Sequence, residues 1–126
     1  MIPTIEWHES GVRMLDQRKL PLRVAWFTCK GYKDVIRAIR KMVIRGAPAI
    51  GVAAAMGMAM AAACIRAGSH EAFMEQFRRV AREMVLARPT AVNLQWAVDR
   101  MLRAAGSASG RPLEELRALL KEEAQK

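Results

Sequence analysis

The chain reads as an α+β domain that is mostly helical: a small set of antiparallel β segments at the N-terminus, followed by a bundle of about five helices. Three observations carry this. The first thirty residues alternate short β-branched and aromatic runs with polar turns. From Tyr32 onward the apolar residues recur at helical spacing in segment after segment. And 126 residues with 52% apolar composition suffice for one core and no more. The expected organisation is residues 1–30 as the β segments and residues 31–126 as the helical bundle, together one domain.

The elements follow in order. Residues 4–7, 11–15 and 23–28 read as strands, with the first two joined by a hairpin at His8-Glu9-Ser10, and Lys19-Leu20-Pro21 breaks the run. Over residues 32–43, Val35, Ile36, Ile39, Met42 and Val43 share one helical face, and the helix stops ahead of Gly46. Residues 47–65 contain no charge, but they are built from Ala, Gly and Met, with no aromatic belt or Lys/Arg asymmetry at the flanks. A helix packed on all sides inside the domain is expected there, not a membrane span, with Gly51 and Gly57 permitting close neighbours. Ser69 is placed to cap a third helix, with Phe73, Phe77, Val80, Ala81 and Met84 on one face and Glu75, Arg78, Arg79 and Arg82 opposite. A fourth carries Leu94, Val98, Met101 and Leu102 and ends in the connector Gly106-Ser107-Ala108-Ser109-Gly110. Residues 111–126 form a last amphipathic helix with Leu113, Leu116 and Leu120 aligned.

Two segments point to chemistry. Ile44-Arg45-Gly46-Ala47-Pro48-Ala49-Ile50-Gly51 and Arg88-Pro89-Thr90-Ala91-Val92-Asn93-Leu94 each place an arginine just ahead of a helix start. Unpaired N–H groups and the positive end of the helix dipole favour an anion at such a point. Gly46 lets backbone approach a ligand, Pro48 fits a first helical turn, and Arg45 and Arg88 supply planar forks for phosphate oxygens. Thr90 is a plausible N-cap, and Asn93 could reach a substrate hydroxyl or close a local backbone bond. An Arg-Gly-x-Pro turn also occurs with no ligand at all, so these residues by themselves leave both readings open.

The net charge of +9 calls for an acidic partner. The basic residues are spread over the polar faces of several helices without a basic run or aromatic platform, which argues against nucleic acid. Cys29 ends a strand, Cys64 lies in the Ala/Met helix and reads as buried, and neither has a metal-ligand neighbour. Two reduced structural thiols, together with an N-terminus lacking an apolar signal region, predict a cytoplasmic protein with no metal site. His8 beside Glu6 and Glu9 reads as an exposed turn residue, and Trp7, Trp26 and Trp96 as core or interface anchors. The nine methionines read as soft core packing.

In order and spacing, the two arginine segments resemble the N-terminal domain of the methylthioribose-1-phosphate isomerase family, which is related to the regulatory subunits of the eukaryotic translation initiation exchange factor. Val12-Arg13-Met14-Leu15-Asp16-Gln17 with Lys19-Leu20-Pro21, and Trp96 with Asp99-Arg100-Met101, extend the resemblance over residues 5 to about 105. It implies an aldose-ketose isomerase of methionine salvage that needs no cofactor. Arg45, Gly46, Ala47 and Arg88 would hold the sugar phosphate, with Asn93 as a possible further contact. It further implies a Rossmann-like second domain carrying the catalytic Cys and Asp and most of a homodimer interface, toward which the last helix leads, so that the apolar stripe of that helix is expected to lack part of its cover. No catalytic residue is then expected within this chain, and the chain alone should be inactive. The alternative in the same family is a non-catalytic module that senses a sugar phosphate or assembles with partners.

Overall fold

A computed structural model of the chain describes residues 5–8, 11–15, 26–41, 43, 47–108 and 111–124. Three strands, β1 (Ile5–His8), β2 (Gly11–Leu15) and β3 (Trp26–Cys29), form an antiparallel sheet in the order β1-β2-β3. The register pairs Trp7 with Val12 and Val12 with Cys29, and Ile5 with Met14 and Met14 with Phe27. Side chains alternate across a strand, so these six share one face, and Val12, Met14 and Cys29 on it are fully buried. The opposite face carries Arg13, whose guanidinium stacks 4.2 Å from the centre of the Trp26 ring. His8 pairs with Gly11 at the end of β1, as a hairpin requires. The expected turn residues Glu9 and Ser10, the segment Lys19-Leu20-Pro21 and the start of the third strand lie outside the described residues.

Five helices follow: α1 (Tyr32–Arg40), α2 (Ala47–Cys64), α3 (His70–Leu86), α4 (Val92–Ser107) and α5 (Leu113–Ala124). The first starts where Asp34 turns back to accept from the Lys30 N–H at 3.0 Å, placing a carboxylate at the positive helix end. It stops at Arg40, earlier than the apolar spacing suggested. Val43 is nevertheless fully buried, its N–H bonded to the Ala38 carbonyl at 2.9 Å. α3 has the expected cap, the Ser69 hydroxyl accepting from the Ala72 N–H at 3.1 Å.

The uncharged α2 is the central element. It touches all four other helices and the β1 and β2 strands, and it is buried continuously from Ala53 to Ala62. No helix among the described residues is long and apolar enough to cross a membrane. Small residues make the crowding possible. A Cβ on Gly57 would stand 2.9 Å from Val35 Cγ1 and 2.8 Å from Met84 Cε, so α1 and α3 both close on the α2 backbone there.

α5 is covered along most of its stripe, with only Leu113 at its start half-buried. Leu116 and Leu120 are fully buried, and the helix packs along α2 and α4. Arg117 explains the fit: its Nε donates to the Ala62 carbonyl at 3.1 Å and its Nη2 to that of Ile65. Both carbonyls stand where α2 ends and its hydrogen-bond ladder runs out, that of Ala62 also accepting from the Ile65 N–H at 3.3 Å. Arg100 and Glu123 form an ion pair at 3.6 Å between α4 and α5.

The two cysteines differ more than their sequence context implied. Cys29 is fully buried, whereas Cys64, at the last position of α2, is exposed. Burial of Cys29, reinforced by the nearby Asp34 carboxylate and only partly offset by Arg37, pushes its thiol from 9.0 up to about 12. An alkylating reagent at neutral pH should therefore modify Cys64 alone until the protein unfolds, which peptide mass spectrometry reads directly. Burial of the Cys29 thiol also makes stability depend on pH. The unfolded thiol ionises first, so its contribution is intact below pH 9 and drains away as pH rises toward 12.

Candidate functional site

The two arginine segments lead into α2 and α4, and the fold brings those helix starts together. A Cβ placed on Gly51, in the second turn of α2, would lie 3.4 Å from the Asn93 carbonyl oxygen and 3.8 Å from Ala97 Cβ in the first turns of α4. At the other end, the His70 ring nitrogen Nε2 meets the Ala105 carbonyl at 3.0 Å, so the start of α3 sits against the last turns of α4. The short connection from α2 to α3 then places the ends of α2 and α4 on the same side. The two helices run parallel, with both N-termini at one pole.

That pole is electrostatically distinct. α1, α3 and α5 each carry a carboxylate in the first turn, Asp34 in α1, Glu71 in α3, and Glu114 and Glu115 in α5. α2 and α4 carry none. Acidic side chains ordinarily offset the positive helix start. The two helices that lack them are the two whose starts converge.

The start of α4 is also left open. Thr90 is not its N-cap. The Ala91 N–H bonds back to the Arg88 carbonyl at 3.0 Å, closing a turn that delays the helix, and Ala91 occupies the cap position with no side-chain hydrogen bond. The first-turn N–H groups, which have no helical partners, therefore receive no side-chain acceptor from the cap.

Arg88 stands in this turn, its own N–H bonded to the Val85 carbonyl at 3.2 Å at the end of α3. It is half-buried, and among the described residues no hydrogen bond or ion pair engages its guanidinium. An unpaired guanidinium on the turn that precedes open N–H groups is of the chemical type that receives a phosphate. Asn93 is exposed on the first turn of α4, near the same pole. Ala47 is the first residue of α2. Arg45 and Gly46, which precede it, lie outside the described residues, so the structure brings together Arg88, Asn93 and the starts of both helices.

Of three clefts among the described residues, the two larger lie off this pole. One of about 600 Å³ runs between α4 and α5, lined by Arg100, Arg103, Leu119 and Glu122 among others. A second, of about 460 Å³, lies between α3 and α4. The third, of about 350 Å³, adjoins the α4 start and is lined by Pro89, Thr90, Val92, Gln95, Trp96 and Asp99. Sequence reasoning placed Trp96 as an anchor; it is 62% exposed, and only its position relative to its neighbours reveals that it borders this groove. Among the described residues no group of three His, Cys, Asp or Glu is arranged to hold a metal ion.

Comparison with known proteins supplies the context. The Initiation factor 2 subunit family profile matches residues 43–126. The methylthioribose-1-phosphate isomerase of Geobacter sulfurreducens is 51% identical over 121 residues, which is 96% of this chain and 35% of that protein. The crystal structure of 5-methylthioribose 1-phosphate isomerase from Pyrococcus horikoshii OT3 superposes with a TM-score of 0.91 at 36% identity, over 99% of this chain and 35% of the other. A structure described as translation initiation factor eIF-2B subunit delta from A. fulgidus gives 0.88 at 34% identity, over 99% of this chain and 36% of the other. The chain spans about a third of the length of the curated relatives it matches.

Proposed function

The chain belongs to the Initiation factor 2 subunit family, and from that membership we propose that it is the substrate-clamping N-terminal part of a methylthioribose-1-phosphate isomerase. The observation that carries this reading is the convergence of two helix starts, both without first-turn carboxylates, beside the unpaired Arg88. The substrate named for the relatives is a sugar 1-phosphate. Its phosphate dianion matches the charge of this pole.

The chemistry divides accordingly. The ester sits on the anomeric carbon, so the furanose ring must open before hydrogen can move between C1 and C2 to give the ketose. The open N–H groups of α4, the start of α2 with Arg45 and the Gly46 and Ala47 backbone, and the Arg88 fork hold the phosphate. Asn93 lies within the same neighbourhood for a sugar hydroxyl. These groups position the substrate and stabilise charge. The acid that assists ring opening and the group that serves hydrogen transfer belong to the further length that the relatives possess, and no cofactor is required. That further length is also where a homodimer would be built.

The test joins this chain to the C-terminal remainder of the Geobacter sulfurreducens relative and measures conversion of methylthioribose 1-phosphate in a coupled assay. The expected result is turnover by the fusion and none by the 126-residue chain alone. The likeness to the eIF-2B subunit favours a second reading, a non-catalytic sugar-phosphate sensor or assembly module. A folded fusion that binds the phosphate ester calorimetrically yet never turns it over would select that one.

A further inference from the structure

α2 has no side chain with which to hold its own place. From Ala47 to Cys64 it is built of Ala, Gly, Pro, Ile, Val, Met and the terminal Cys, none of which offers a side-chain nitrogen or oxygen. From Ala53 to Ala62 it is buried and consists of Ala, Gly and Met alone, so a slide by one turn, about 5.4 Å, presents its neighbours with nearly the same surface. Apolar burial is non-directional and changes little in such a move. Gly57 receives Val35 of α1 and Met84 of α3, which keys α2 to those two helices. Gly51, which faces α4, makes no such notch: an added Cβ would meet the Asn93 oxygen at 3.4 Å and Ala97 Cβ at 3.8 Å, ordinary contact distances.

Polar contacts supply the direction that this surface lacks. Among the described residues, the side-chain hydrogen bonds onto α2 and the residue after it come from Arg117 of α5, which donates to the Ala62 and Ile65 carbonyls. α5 is joined in turn to α4, with Glu123 3.6 Å from Arg100, and is seated by the buried Leu116 and Leu120. α3 contributes less directly. His70 meets the Ala105 carbonyl of α4, but Gln76 Nε2 donates at 3.0 Å to the carbonyl of Arg66, in the connection beyond α2. Hydrogen bonds are directional, and two donors on one planar guanidinium fix both a position and an orientation. α5 therefore sets where the end of α2 stands against α4. Because α2 is one unbroken helix, its start moves with its end.

We propose that Arg117 is a positioning residue: through α5 it sets the axial register of α2 against α4, and with it the spacing of the two helix starts that form the phosphate pole. It acts at a distance, since Gly51 lies about 16 Å from Ala62 at a rise of about 1.5 Å per residue. The consequence for substrate rests on reading that pole as the clamp of an isomerase; the register itself does not. A displacement of about 1 Å in groups that hold a reacting molecule costs up to about a hundredfold in rate.

The experiment compares Arg117→Met, which keeps a long stem and loses both donors, and Arg117→Lys with Val80→Ala, a destabilising cut in the buried face of α3. In the 126-residue chain, NMR should show the Gly51 and Asn93 amide resonances displaced in Arg117→Met and near their wild-type positions in Val80→Ala. Arg117→Lys, with the charge but not the fork, should displace them less, and it carries the test if Arg117→Met does not fold. In the fusion described above, Arg117→Met should raise KM for methylthioribose 1-phosphate at least about threefold, short of the roughly hundredfold cost of a full misplacement, while Val80→Ala leaves KM unchanged. Unmoved amides in both Arg117 variants overturn the proposal. Equal displacement in Val80→Ala also does, because Arg117 then acts on stability alone. Displaced amides with a wild-type KM in an active fusion overturn the positioning role, since the substrate does not sense the register. A wild-type fusion that never turns substrate over removes the functional reading instead, and the amides then judge the register by themselves.

Discussion

Gly57→Val is expected to destabilise the chain more than any other single apolar substitution in α2. Even the first added carbon meets Val35 Cγ1 at 2.9 Å, Val35 Cβ at 3.2 Å and Met84 Cε at 2.8 Å. The methionine end can swing away, but Val35 is held by a branched side chain on the facing helix and is itself fully buried. Alanine gains about 1 kcal/mol of helix propensity over glycine. Overpacking a dense core costs about 1–3 kcal/mol. Gly57→Ala should therefore fall between neutrality and a loss of about 2 kcal/mol, and valine, with two further carbons and a stiff χ1, well below it. Gly106→Ala on α4 is the control, because a Cβ there has no atom within 4 Å and only the propensity gain remains. Urea midpoints for the three variants decide the matter. Equal stabilisation by Gly57→Ala and Gly106→Ala would show that α1 and α3 do not close on α2 as described.

Arg88→Ala should cost the fusion most of its grip on substrate without unfolding it. Among the described residues no hydrogen bond or ion pair engages the guanidinium, so removing it breaks none. A hydrogen bond to a charged group contributes about 1.5–3 kcal/mol. Each 1.4 kcal/mol is about tenfold, so kcat/KM should fall on the order of ten- to hundredfold. Arg88→Lys keeps the charge but loses the planar two-point fork, and partial recovery is expected. Because the arginine acts on the phosphate and not on the reacting carbons, the loss should appear in KM at least as much as in kcat. Wild-type kinetics in Arg88→Ala, with the melting temperature preserved, would remove the clamp assignment.

Local pattern alone determined a good deal. Apolar periodicity laid out the five helices and their inward faces, because the side chains of Phe73, Phe77 and Met84 or of Leu94, Val98 and Met101 share a face whatever covers it. The Ser69 cap was equally legible, since it depends on residues close in sequence, whereas Ala91 and not Thr90 holds the cap position of α4 behind the second of the two arginine segments. Their order and spacing were enough to indicate the family. Pattern does not say what packs against a face. The tertiary structure decided that Leu116 and Leu120 of α5 are covered, with Arg117 reaching the end of α2, and that Val92 and Trp96 of α4 are exposed. It decided that Cys64 is exposed while Cys29 is sealed, because the register of the sheet and the end of a helix, not composition, set their surroundings. Above all it brought the starts of α2 and α4 to one pole. That convergence follows from parallel packing across Gly51, a contact between residues about forty positions apart that no local window of sequence contains.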